Sequence, residues 1–142
     1  MNARKKNALR LGGMFAALIL AASSGYAGDV KVTLAGSQEV PPVTTSATGA
    51  GTITIKDDKS VSGSVKTKDV VGVAAHIHLA PAGKNGPPII TLIKTSEDIW
   101  TVPEDSKLTD EQYAAFKAGE LYVNVHSAAN KGGEIRGQLK AK

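Results

Sequence analysis

Leu121-Tyr122-Val123-Asn124-Val125-His126 alternates apolar and polar residues at a strict period of two. Successive side chains of a β-strand leave opposite faces, so Leu121, Val123 and Val125 define a core face and Tyr122, Asn124 and His126 the other. Ala75-His76-Ile77-His78-Leu79 repeats the pattern, again with its histidines opposite the apolar set. A helix would scatter either pattern around its axis. Working outward, Val30, Val32 and Leu34 share one face of a first strand ended by Gly36. Ile53 and Ile55 alternate with Thr52 and Thr54, the turn Asp57-Asp58 follows, and Val61 and Val65 flank Gly63; these two strands predict a hairpin. The apolar, β-branched run Ile89 to Ile93 predicts a strand buried on both faces. Ile99 to Val102 predicts a short strand stopped by Pro103, and Glu134 to Leu139 a closing strand after Gly132-Gly133. Strands of this length, separated by turns, imply an all-β antiparallel sandwich or barrel.

One helix is expected. Thr109-Asp110-Glu111-Gln112 has the form of a capping box, Tyr113 and Phe116 recur at helical spacing, and Gly119 is placed as a terminator, giving about three turns. Two irregular stretches stand out. Glu39-Val40-Pro41-Pro42-Val43 cannot continue a central strand, because its prolines remove ladder donors. Ala80 to Pro88, directly after the histidine pair, holds three prolines and two glycines and reads as a loop. Trp100, Tyr122 and Phe116 are expected in core or rim packing.

Charge and composition divide the chain. Arg4, Lys5, Lys6 and Arg10 precede an apolar or small stretch from Leu11 to Ala22, and Gly25-Tyr26-Ala27 supplies small residues where a signal peptidase reads. Residues 1–27 therefore read as a cleavable signal peptide and 28–142 as one exported domain, periplasmic or secreted. The apolar run is short for a membrane span, and no Cys follows it to carry a lipid. Four of the 17 Lys and Arg lie in the leader; the other 13 balance the 13 Asp and Glu, all at or after Asp29, so the domain is neutral with its histidines uncharged. A basic nucleic-acid or membrane-binding surface is not expected. Cys is absent and both Met residues fall in the leader. Any metal site must then use His, carboxylate or backbone ligands, which disfavours Cu(I) and suits Cu(II) or Zn(II).

The three histidines are the chief candidates for such a site. His76 and His78 leave the same strand face with Cα atoms roughly 6.5–7 Å apart. If the apolar sets face the core, all three rings point to its outer side, and adjacency of the two strands would bring His126 to the pair. Three neutral imidazoles beside a Gly/Pro loop suit a divalent transition metal with an open position. Histidine is also common on solvated strand faces, and nothing in the spacing requires His126 to be adjacent. Glu39, held by the Pro41-Pro42 segment, is a candidate carboxylate ligand or an acceptor behind the ligands, with a solvated loop carboxylate as the alternative. Glu134 and Arg136, two apart on one strand face, suggest a surface ion pair or cross-strand partners worth little energy. No nucleophile elbow, Walker loop or dinucleotide fingerprint is present.

Taken in order, Leu34-Ala35-Gly36-Ser37-Gln38-Glu39-Val40-Pro41-Pro42-Val43, Gly49 to Ile55, Ala74-Ala75-His76-Ile77-His78, Gly86-Pro87-Pro88, the helix Leu108 to Gly119, Glu120 to His126 and Gly132-Gly133-Glu134-Ile135-Arg136-Gly137-Gln138-Leu139 resemble the CHRD (chordin) domain family. The resemblance implies an immunoglobulin-like β sandwich. The family takes its name from repeats in an extracellular regulator of growth-factor signalling and also occurs alone in secreted bacterial proteins. The HxH strand, the later Val-His and the Gly-Gly-Glu-Ile-Arg-Gly segment are also similar to Cu/Zn superoxide dismutase. That family needs more histidines, a zinc-loop aspartate and a disulfide, so a bridged two-metal dismutase site is not expected here. The expected fold is thus an immunoglobulin-like or Cu/Zn-dismutase-like antiparallel sandwich with one short helix. The expected function is a non-enzymatic binding domain holding one Cu(II) or Zn(II) through His76, His78 and His126, with Glu39 near. The alternative is a metal-free module that binds an envelope or extracellular protein.

Overall fold

The computed structural model describes residues 28–142, so the expected signal peptide lies outside the described residues. Among the described residues the chain forms nine strands and one α-helix: β1 (Gly28–Ala35), β2 (Thr48–Ile55), β3 (Val61–Lys68), β4 (Gly72–Leu79), β5 (Pro88–Thr91), β6 (Ile93–Ser96), β7 (Ile99–Thr101), α1 (Asp110–Lys117), β8 (Leu121–Ser127) and β9 (Ile135–Leu139). They pair antiparallel in one sheet of order β5-β4-β8-β9-β1-β2-β3-β7-β6. The predicted hairpin is β2–β3, with Ile53 opposite Gly63 and Ile55 opposite Val61.

The two end strands of this sheet, β5 and β6, are consecutive in the chain and separated only by Leu92. The sheet therefore curls until its edges meet. Leu92 donates its N–H to the Ala75 carbonyl at 2.9 Å, and the Lys94 ammonium donates to the Gly72 carbonyl at 3.2 Å, bridging the seam. Curling gathers the inward residues into one core that includes Val32, Leu34, Ile53, Ile55, Val65, Ala75, Ile77, Leu121, Val123, Val125, Ile135 and Leu139.

Three local expectations change. Ile89 to Ile93 is two edge strands, not one strand buried on both faces. Ile90 and Leu92 face the core, while Ile93 is 54 % exposed. The run is apolar where it crosses the seam, and Pro88, lacking an N–H, begins an edge strand where no ladder bond is lost. The helix has eight residues, nearer two turns than three. Glu134 and Arg136 form no surface ion pair; both are buried, with separate partners.

The capping box is present: the Thr109 hydroxyl accepts from the Gln112 N–H at 3.1 Å, and the Gln112 side-chain oxygen accepts from the Thr109 N–H at 3.0 Å. Past the C-terminus, the Gly119 N–H donates to Phe116 O and the Glu120 N–H to Ala115 O. Thr109→Ala is expected to lower stability by about 1 kcal/mol in urea unfolding, because one donor of the first turn is then left to water.

The outer faces of β4, β8 and β9 are largely covered. Tyr122, Asn124 and Arg136 lie there yet are 2 %, 2 % and 1 % exposed. The Glu39–Val43 and Ala80–Pro88 segments cover them, and the Asn85 amide ties the two segments by donating to Val40 O at 2.7 Å. Beneath this cover lies a second, polar layer, and the histidines belong to it.

Candidate metal centre

Strand pairing decides whether the histidines meet. β4 pairs with β8 so that His78 opposes Tyr122, His76 opposes Asn124 and Ala74 opposes His126. His126 is thus the diagonal neighbour of His76 on one face, within reach of long side chains. The His76 Nδ1 and His126 Nε2 atoms are 3.0 Å apart. Ring centroids lie 4.9 Å (His76–His126), 5.4 Å (His76–His78) and 6.0 Å (His78–His126) apart. One nitrogen from each ring falls in a set within 4.8 Å of one another. The expected convergence of imidazoles from two separate strands is what the structure shows.

Two backbone carbonyls orient the rings. His78 Nδ1 lies 2.8 Å from Gly86 O, and His126 Nδ1 lies 2.8 Å from Lys131 O. A carbonyl can only accept, so both Nδ1 atoms carry protons and each neutral ring presents its Nε2 lone pair. This is the arrangement that sets metal-ligating histidines. The Nε2 of His78 is buried and has no hydrogen-bond partner. Burial lowers the pKa of His76, reinforced by the neighbouring His126 and His78, and burial lowers that of His78 as well. Both rings are therefore held neutral, the form that ligates.

The residues present fit a divalent transition metal. The donors are three nitrogens with no sulfur, two carry carbonyl partners behind them, and one buried lone pair has no donor to satisfy it. Two nitrogens bound at about 2.0–2.1 Å to one ion are at most about 4.2 Å apart. The 3.0 Å pair already satisfies that bound, and all three nitrogens lie within 4.8 Å of one another.

Glu39 is not one of the clustered ligands. It is 4 % exposed, packed against Asn124 and against Gly133, whose φ of +124° leaves no room for a side chain: a Cβ there would collide with the Glu39 carboxylate and the Asn124 amide. Burial pushes the Glu39 pKa up to about 7, opposed by the Arg136 charge and by a hydrogen bond from Asn124. One Glu39 oxygen and the Asn124 side-chain oxygen have no partner. Glu134, by contrast, accepts from Ser127 (2.7 Å), Thr45 (2.9 Å) and Asn130 (3.2 Å), and these bonds lower its pKa.

Sequence reasoning passed over Tyr122 and Asn124, and with them the Gly86 and Lys131 carbonyls. Period two already placed Tyr122 and Asn124 on the histidine face. Only the covering segments make them part of the site. Tyr122 stacks on His78 with centroids 4.8 Å apart and planes 4° from parallel.

The fold and this face define a closed antiparallel β domain that presents histidines from two neighbouring strands. The CHRD domain profile matches residues 30–139, and the chain belongs to that family. Neither the curated proteins nor the solved structures give a match to the chain. Among the described residues no helix is long and apolar enough to cross a membrane.

Proposed function

We propose that the protein is an exported, non-enzymatic binding domain that captures one divalent transition metal, Cu(II) or Zn(II), through His76, His78 and His126. The observation that carries this reading is the convergence of three imidazole nitrogens, two of them oriented by backbone carbonyls, with a buried lone pair left unsatisfied. The leader pattern of residues 1–27 supports export to the periplasm or beyond. His76 Nδ1 donates to His126 Nε2 when His126 carries its proton on Nδ1, so for His76 to ligate through Nδ1 its proton must pass to its own Nε2 by exchange with water. Glu39 stands behind Asn124 and adds negative charge to the layer when ionised. Affinity should fall as pH drops through the imidazole range, since ligation needs neutral rings.

Isothermal titration of the purified protein with Cu(II) and with Zn(II) tests the reading. One equivalent is expected to bind, with binding abolished in His76→Ala/His78→Ala/His126→Ala. Equal affinity in the triple variant would refute it.

A second reading, a module that docks an envelope or extracellular protein, is favoured by one observation. Val71, Val73 and Ile93 are 81 %, 59 % and 54 % exposed, large apolar side chains turned to solvent. Specific capture of one partner, lost in Val71→Ser/Val73→Ser/Ile93→Ser and unaffected by chelators, would support it over metal capture.

A further inference from the structure

Arg136 is the largest fully buried side chain among the described residues, at 1 % exposure. Among the described residues no carboxylate comes within ion-pair distance of it. A buried guanidinium without such a partner must spend its donors on other acceptors. Its Nη1 donates to Lys84 O at 2.8 Å, and its Nη2 donates to Pro81 O and to the Gln138 side-chain oxygen, each at 3.1 Å. Gln138, two residues along β9, donates in turn to Ala80 O and Gly119 O at 2.8 Å. Three carbonyls of the Ala80–Pro88 loop thus end on two side chains of one strand.

That same loop supplies Gly86, whose carbonyl accepts from His78 Nδ1 and whose N–H donates to the Tyr122 hydroxyl at 3.2 Å. Gly86 runs so close to β4 that a Cβ there would collide with the Leu79 carbonyl. The second route to the histidine passes through the rings. The Arg136 Cζ lies 3.5 Å from the Tyr122 ring centroid, and Tyr122 stacks on His78. β8 runs between β4 and β9, so Tyr122 meets His78 from the strand on one side and Arg136 from the strand on the other. His78 is therefore fixed at its edge by Gly86 and on its face by Tyr122. Both fixtures lead back to Arg136.

We propose that Arg136 is the positioning residue of the histidine cluster: its buried fork pins the Ala80–Pro88 loop and backs Tyr122, and together these set the ring orientation and tautomer of His78. The role rests on the metal reading above, for which a fixed His78 Nε2 is the benefit. The planar fork matters because it serves two divergent carbonyls and a ring face at once. An ammonium can serve one direction well and stacks poorly.

The test compares wild type with Arg136→Lys and with Val65→Ala, a truncation in the core that lowers stability without touching this layer. Long-range nitrogen–proton spectra of the metal-free protein are expected to show His78 as the Nδ1–H tautomer in wild type and Val65→Ala, and as a mixture in Arg136→Lys. Calorimetry with Cu(II) and Zn(II) is expected to show about ten- to a hundredfold weaker binding for Arg136→Lys, the usual cost of losing an outer-shell partner. Val65→Ala should bind like wild type. Wild-type tautomer and affinity in Arg136→Lys would overturn the proposal. If Arg136→Lys does not fold, Gln138→Ala, which frees Ala80 O, is read in the same way: a smaller loss in the same direction supports the role, and an unchanged ring and affinity overturn it. Should wild type bind neither metal, the metal reading fails alone, because the tautomer comparison still decides whether Arg136 sets His78.

Discussion

Glu39→Gln is expected to stabilise the protein above neutral pH by up to about 3 kcal/mol and to leave it nearly unchanged near pH 4. The Glu39 carboxyl has its pKa raised from the ordinary 4.5 to about 7, chiefly by burial. The folded chain then holds a proton that the unfolded chain has already released across that interval. Stability must fall as pH rises from about 4.5 through about 7, at about 1.4 kcal/mol per unit of pKa difference, and level off above it. Glutamine keeps the shape and removes the titration. His76 and His78 act in the opposite direction: burial lowers their pKa values, so their contribution is lost as pH falls below the ordinary imidazole value of 6.5. Subtracting wild type from the variant cancels that part. Urea unfolding in a chelating buffer at several pH values measures the difference, and a pH-independent difference would show that burial leaves the Glu39 pKa at its ordinary value.

Phe116→Ala should cost about 3–5 kcal/mol, the range for deleting a buried aromatic ring. Phe116 is the sole buried residue of α1, at 0 % exposure, and joins the main core. An eight-residue helix does not persist on its own propensity. The ring is therefore what fastens α1 to the sheet. Against a typical domain stability of about 5–15 kcal/mol, the loss is a large fraction of the total. A fall in the urea midpoint with retained strand signal is the expected readout, and Phe116→Leu, which refills most of the space, should recover most of it. A cost below about 1 kcal/mol would contradict the packing described.

The alternation at Val30–Leu34, Ala75–Leu79 and Leu121–Val125 was legible because strand period and core face coincide there, and the capping box at Thr109 because it is a purely local chemistry. The face on which the histidines lie was legible for the same reason. Their adjacency was not, since it depends on β4 pairing with β8, whose residues lie some 50 positions apart. Least legible was the burial of the polar layer. Arg136 and Glu134 look like a solvated pair in a strand pattern, but the Ala80–Pro88 loop closes over Arg136, and Thr45, Ser127 and Asn130 enclose Glu134. Ile89 to Ile93 misled for a related reason: an apolar run signals burial but does not say that at Leu92 one edge of the sheet becomes the other.

The passage at Leu92 has a mechanical corollary. Because a single residue couples the first and last staves of the cylinder, neither can peel away without dragging the other, and the two rims are held beside one another. A chain without any cystine bridge thereby gains a covalent hoop from its own backbone. The length of that link matters: one added residue would displace Ile93 and Lys94 from Thr101 and Trp100, their partners on the neighbouring stave.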